Sequence, residues 1–208
     1  MKGFNFLIII FIFHRSHAYN IYMSNIKLLV CGDVKAPQRK FGDAGIDLFV
    51  PNYSEQFIKD LQEYNPNMTI EGFGDINIHY DIVNKKYVIQ VKSSCDIRIP
   101  SYIRALIPPD MCLRMTNKSG VATKQKLIVG AELIDSSYEG ICIIHLFNIS
   151  NKLTTIDFGQ KLSQIVPIKI DPNNIDIVYK KDISIEEFYK DHNHDRGEGA
   201  FGSTSLFK

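Results

Sequence analysis

Asn117-Lys118-Ser119-Gly120 sets an amide, a cation, a hydroxyl and a glycine side by side. A backbone without a side chain at Gly120 can approach a ligand closely. Its N–H groups, the Ser119 hydroxyl and the Lys118 ammonium can then all face phosphate oxygens. Further on, Asp135-Ser136-Ser137-Tyr138-Glu139-Gly140 separates two apolar runs, 127–129 through Ile134 and 141–147. Apolar, β-branched runs bounded by a polar segment ending in glycine read as a β-hairpin. Its loop presents one carboxylate, Asp135, and one phenol, Tyr138, at a strand end. A carboxylate beside a phosphate cradle is where a general base belongs. Taken alone, the same six residues read as a turn whose aspartate caps the backbone. Support for chemistry has to come from the rest of the chain.

Two further stretches carry unusual chemistry. Residues 41–50, FGDAGIDLFV, are a turn with two carboxylates and two glycines feeding an apolar strand. Residues 196–205, RGEGAFGSTS, fit neither a strand nor a helix. Glycine and serine alone would make them a solvated terminus. Arg196, Phe201, Gly202, Ser203 and Thr204 add a phosphate fork, a plate on which a base could stack, and hydroxyl and amide donors. His145 alternates with Ile141, Ile143 and Phe147, so it reads as a satisfied core histidine. His192 and His194 beside Asp195 read as a hydrated hinge rather than a metal site.

The elements that must position these residues are short. Strand-like runs lie at 26–30, 46–50, 75–80, 86–91, 96–100, 104–107, 153–156 and 161–170, with prolines closing the runs at 96–100 and 104–107. Asn84-Lys85 marks a turn. Ser54 reads as the N-cap of a helix over 55–64, with Phe57, Leu61 and Tyr64 on one face and Pro66 beyond its end. Residues 184–189 amount to a helical turn at most. Many short strands with regular turn signals predict an all-β barrel or jelly roll.

At 208 residues the chain fits one domain with a core that needs no staples. A net charge of +1, with scattered basic residues, argues against nucleic acid or an anionic membrane as the main partner. The four cysteines, Cys31, Cys95, Cys112 and Cys142, show no C-x-x-C spacing. A reduced compartment fits them, with Cys142 as a small buried hydrophobe. Lys2, the apolar run 4–13 and Ser16-His17-Ala18 have the form of a cleaved targeting segment, too short to span a membrane. The competing reading starts the protein at Met23, ahead of the first strand. Cytoplasmic localisation is then expected, or nuclear or organellar if residues 1–22 are a targeting segment.

Together, 43–48, 117–122, 130–140, 159–164 and 196–204 resemble the five ordered motifs of the trimeric deoxyuridine triphosphatase (dUTPase) family. Each alone is weak; five in order, closing on RG-x-G-x-FGST, are specific. The resemblance implies a distorted jelly-roll barrel spanning 23–195, with a helical insertion at 51–91 and a flexible C-terminal arm at 196–208. It further implies a homotrimer whose active sites draw on more than one subunit. The implied reaction is hydrolysis of dUTP to dUMP and pyrophosphate with Mg2+, which keeps uracil out of DNA and supplies dUMP for thymidylate synthesis. By that likeness Asp135 activates the water that attacks the α-phosphorus, and Tyr138 packs on the deoxyribose and excludes a 2′-hydroxyl. Asp47 holds the magnesium through its water shell, as suits a cation that dehydrates reluctantly. Lys118, Ser119, Gly120 and Gln164 meet the phosphates. Arg196, Gly202, Ser203 and Thr204 meet the γ end, and Phe201 stacks on uracil.

Three residues depart from the family pattern. Lys118 stands where arginine is usual, so a bidentate fork becomes a point charge. Glu132 replaces a glycine in the strand that passes the base, and is expected to lie among the substrate-binding residues. Ala200 replaces a glycine before Phe201. The stretch from Pro100 to Ser119 looks short by about one strand, which would open a sheet edge. Two other readings compete with a dUTPase. A dCTP deaminase or bifunctional deaminase would carry glutamate at the point of His145, and a nucleotide-binding protein could keep the fold without catalysis.

Overall fold

The computed structural model describes residues 25–171, 177–179 and 181–190. The described residues divide into two units, one running to Ile170 and one beginning at Asp171. In the first unit, twelve strands, β1 to β12, make three four-stranded sheets. The first sheet orders β1 (Lys27–Val30), β6 (Asp96–Leu106), β10 (Ile141–Asn148) and β8 (Leu127–Val129). The second orders β11 (Thr154–Asp157), β5 (Lys86–Val91), β4 (Ile76–Asp81) and β3 (Met68–Ile70). The third orders β2 (Ile46–Phe49), β12 (Lys161–Lys169), β7 (Met111–Asn117) and β9 (Leu133–Ile134). Most pairings are antiparallel, as jelly-roll strands are, but the sheets do not close on one another as a continuous barrel. Of the second unit, the described part contains one helical turn, α2 (Ile185–Phe188), capped by the Ser184 hydroxyl.

Period-two burial explains how the first sheet feeds the core. On β10, Cys142, Ile144, Leu146 and Asn148 are buried, whereas Ile141, Ile143 and His145 are half-buried and Phe147 is exposed. The face carrying His145 is thus the outer one, not the core face expected from its apolar neighbours. Opposite β10, Ile97, Ile99 and Ile103 of β6 are fully buried. Leu48, Leu113, Met115, Leu162 and Ile165 bring the third sheet into the same core, and Ile76, Ile78, Ile89 and Val91 the second. Each such side chain contributes about 1.5–3 kcal/mol relative to exposure. Asn148 ties the sheets together through its amide, which donates to the carbonyls of Val91 (3.0 Å), Lys92 (3.1 Å) and Lys152 (2.8 Å).

The helix α1 (Glu55–Tyr64) forms as its sequence dictates: Ser54 Oγ accepts the Phe57 N–H at 3.1 Å. Its buried face is Phe57, Ile58 and Leu61; Tyr64 remains exposed. Beyond its end, Asn65 accepts the Arg98 N–H at 2.9 Å and donates to the Arg98 carbonyl at 2.7 Å, which fastens α1 to β6. The hairpin β4–β5 is no appendage, because β5 also pairs with β11 along residues 88–91.

Three expectations need correction. Residues 96–106 are one strand, not two, and they run through Pro100. Pro100 lies beside an irregularity in the β10 ladder, and β1 pairs only with Ile103–Leu106, so less of the ladder there depends on a donor at Pro100. Between Pro100 and Ser119 the remainder of β6 and all of β7 are present, so no strand is missing. The anticipated hairpin is interrupted as well. Only β8 pairs with β10, while β9 crosses to pair with β7 in the third sheet.

Candidate active site

The third sheet brings three of the sequence stretches to one place. Asp47 on β2 lies opposite Gln164 on β12, and Gln164 lies opposite Thr116 on β7, just before Asn117-Lys118-Ser119-Gly120. Lys118 Nζ is bonded to Asp47 Oδ1, and Lys161 Nζ lies 2.9 Å from Asp47 Oδ2. Burial raises the Asp47 carboxyl, but the two ammoniums outweigh it and hold the group below the ordinary carboxylate value. Gln164 Nε2 donates to the Asn117 carbonyl at 3.2 Å, and Asn117 Oδ1 accepts the Val129 N–H at 2.7 Å. Gly45 makes room for this arrangement: a Cβ there would stand 2.4 Å from Gln164 Oε1. Gly120, in contrast, faces open space. Ser119 is exposed and opens a π-helical turn, Val121–Gln125, with the Thr123 hydroxyl on its carbonyl at 2.6 Å.

Two ammoniums, exposed serine and glycine backbone, and a glutamine amide make a donor-rich surface suited to oxyanions. Lys161 is the residue that sequence reasoning missed. It lies inside the stretch 159–164, but only Gln164 was singled out there; the signal available was the cation itself. Ser163 Oγ, between them, is the one buried side-chain polar atom among the described residues without a hydrogen-bond partner.

Asp47, expected to hold magnesium through its water shell, pairs each of its oxygens with an ammonium. Among the described residues no group of three or more His, Cys, Asp or Glu could hold a metal ion.

Asp135 and Tyr138 sit together on a second element, the loop from β9 to β10. The Tyr138 N–H donates to the Asp135 carbonyl at 3.1 Å, which closes the turn. The Asp135 side chain is exposed and makes no hydrogen bond or ion pair with any described residue. Tyr138 folds back over Gly140, where a Cβ would meet the phenol oxygen at 2.2 Å. Its hydroxyl donates to the Ile141 carbonyl at 3.0 Å. Burial, with Tyr64 and Cys142 nearby, pushes this phenol above its ordinary value, and Arg104 pulls back. Arg104 also donates to the Glu139 carbonyl and so braces the loop. Burial pushes the Cys142 thiol up to about 11, which agrees with an inert, buried cysteine.

Glu132 is paired with Arg114 of β7, whose Nε and Nη2 lie 2.7 and 2.6 Å from Glu132 Oε2. His145 accepts the Ala131 N–H at Nδ1 (3.1 Å), so Nε2 carries the proton and donates to Asp96 Oδ2 at 3.0 Å. Arg196, Phe201, Gly202, Ser203 and Thr204 lie outside the described residues, as do Met23, His192 and His194. Among the described residues no helix is long and apolar enough to cross a membrane.

An all-β jelly roll thus gathers cations, an amide and an open glycine loop on one sheet, a surface suited to an oxyanion. The dUTPase family model matches residues 77–205, and the chain belongs to that family. It is 31% identical over 124 residues to the deoxyuridine 5'-triphosphate nucleotidohydrolase of Arabidopsis thaliana, covering 56% of this chain and 69% of that one. Against the enzyme of the same name from Candida albicans it is 37% identical over 114 residues, covering 51% and 67%. The dUTPase of Staphylococcus bacteriophage 80alpha, solved with dUPNHPP, superposes with a TM-score of 0.60 at 17% identity, covering 88% of this chain and 99% of that one. That likeness concerns the fold.

Proposed function

We propose that the protein hydrolyses dUTP to dUMP and pyrophosphate. The observation that carries this reading is the convergence of Lys118, Lys161 and Gln164 beside the Ser119-Gly120 backbone on the third sheet, in a chain of the dUTPase family. Phosphoryl transfer needs positioning and charge neutralisation more than covalent help. Lys118 and Lys161 supply the charge, while Ser119, Gly120 and Gln164 supply donors that orient the phosphates. Magnesium would add charge neutralisation on the triphosphate, and Asp47 would hold it through its water shell, as the family resemblance implies.

Asp135 has the exposure and the free carboxylate oxygens that a base requires. It takes a proton from water as the water oxygen bonds to the α-phosphorus. The bond from that phosphorus to the bridging oxygen breaks, and pyrophosphate leaves with its electrons. Tyr138 covers the sugar and leaves no space for a 2′-hydroxyl. Arg196, Phe201, Gly202, Ser203 and Thr204 join the site through the family resemblance alone. A homotrimer in which one subunit's loop meets another's cluster follows from the family resemblance. The reaction is one of nucleotide metabolism.

The test offers dUTP, dCTP and UTP with magnesium to purified protein and follows pyrophosphate and ammonia. Pyrophosphate from dUTP with no ammonia from dCTP is expected. Asp135→Asn should keep nucleotide binding and lose about 10²–10⁴-fold in turnover. Ammonia release from dCTP, or full turnover in that variant, would sink the respective part of the reading.

A further inference from the structure

We propose that His145 is a positioning residue for the strand connection that leads to Asp135. Gly130, Ala131 and Glu132 join β8 to β9, where the chain leaves one sheet for another. A segment that changes sheets loses its regular ladder, and its N–H groups need other partners. One strand residue supplies two of them. The His145 carbonyl accepts the Gly130 N–H at 2.9 Å, and His145 Nδ1 accepts the Ala131 N–H at 3.1 Å. On the far side of the connection, the Met115 N–H donates to the Glu132 carbonyl at 2.7 Å, and Arg114 grips the Glu132 carboxylate.

The imidazole is itself fixed from three directions. Asp96 of β6 accepts from Nε2 at 3.0 Å, and Arg98 stands 3.4 Å from the same carboxylate oxygen. Phe147 leans on the ring with centroids 4.8 Å apart. From below, the ring fills the space that Gly130 leaves, since a Cβ there would lie 2.6 Å from Nδ1. A side chain held this tightly at intermediate burial acts as a strut rather than as filler. It sets where β9 begins, and Asp135 follows β9 directly. A base displaced by about 1 Å can lose about 10²-fold in rate.

This inference rests on the reading of Asp135 as the base, and the experiment separates the two. His145→Asn keeps an acceptor close to the place of Nδ1, whereas His145→Phe keeps bulk and removes the acceptor. Measured on the full chain, kcat should fall about 10–100-fold in His145→Phe and stay within about threefold of wild type in His145→Asn. Hydrogen exchange at the Ala131 amide should be fast in the first variant and slow in the second. Wild-type kcat in His145→Phe, or equal Ala131 protection in both variants, overturns the proposal. If His145→Phe fails to fold, Asp96→Ala takes its place, because it frees the imidazole without removing it. Reduced kcat and reduced Ala131 protection are then expected, and no change in either overturns the proposal. Asp135→Asn run alongside tests the base separately: full turnover there removes the reading of Asp135, while Ala131 exchange still reports on the strut.

Discussion

The amide of Gln164 occupies the space that Gly45 leaves empty, with Oε1 2.4 Å from where a Cβ would stand. Gly45 precedes β2 and Gln164 lies on β12, so the absence of one side chain sets the orientation of another across a strand pair. Gly45→Ala should push the Gln164 amide off the Asn117 carbonyl. The displaced atoms are the end of a flexible side chain, so the fold should tolerate the change. The expected result is a KM for dUTP raised about tenfold with Tm nearly unchanged. A large fall in Tm with KM intact would place the role of Gly45 in folding instead.

Asp47→Asn removes the charge that Lys118 and Lys161 share. The folded Asp47 carboxyl is depressed by those ammoniums, so the stability it contributes is present above the unfolded value of about 3.9. That contribution is lost as pH falls through the depressed folded value. Urea midpoints should show wild type ahead of the variant near neutral pH, with the gap closing below about pH 4. A gap that widens on acidification would contradict the assignment.

Ser163 Oγ is buried without a partner, a state that costs about 1–3 kcal/mol of desolvation. Ser163→Ala discards the hydroxyl and leaves almost the same volume. Thermal unfolding should shift upward by about 2–4 °C for each kcal/mol regained. A lower Tm would mean that the hydroxyl has a partner in solution, such as a bound water.

Tyr138→Ala bears on sugar selection. With the ring gone, nothing on this loop would exclude a 2′-hydroxyl. The ratio of kcat/KM for dUTP over UTP should narrow by about tenfold or more. An unchanged ratio would locate the discrimination elsewhere.

Local rules made much of the scaffold readable. Ser54 capping Glu55–Tyr64, and Asn84-Lys85 turning β4 into β5, follow from residue chemistry alone, and Lys85 takes the left-handed φ of 51° that the turn demands. The family resemblance likewise stands on residues that can be read in order. Partnership was not readable. Nothing in the run 127–134 says that it breaks at Gly130 and sends Leu133 to β7, because an apolar period identifies a strand and not its neighbour. Pro100 looked like a terminator because its missing donor matters only if a ladder needs it there. Lys161 gains its meaning from Asp47, 114 residues earlier by the difference 161 − 47, and such a pairing exists only in three dimensions.

The passage of the chain from β8 to β9 has a mechanical consequence. The loop bearing Asp135 leaves the third sheet and arrives in the first, so it spans a seam between two sheets whose strand ladders are separate. Its two anchor points can slide with respect to each other whenever the packing between slabs loosens. A cavity opened among Ile99, Ile144 and Leu113, none of which belongs to the proposed site, would then widen the distribution of carboxylate positions before it unfolded anything. Turnover in this enzyme should accordingly register damage to the core earlier than a melting curve does.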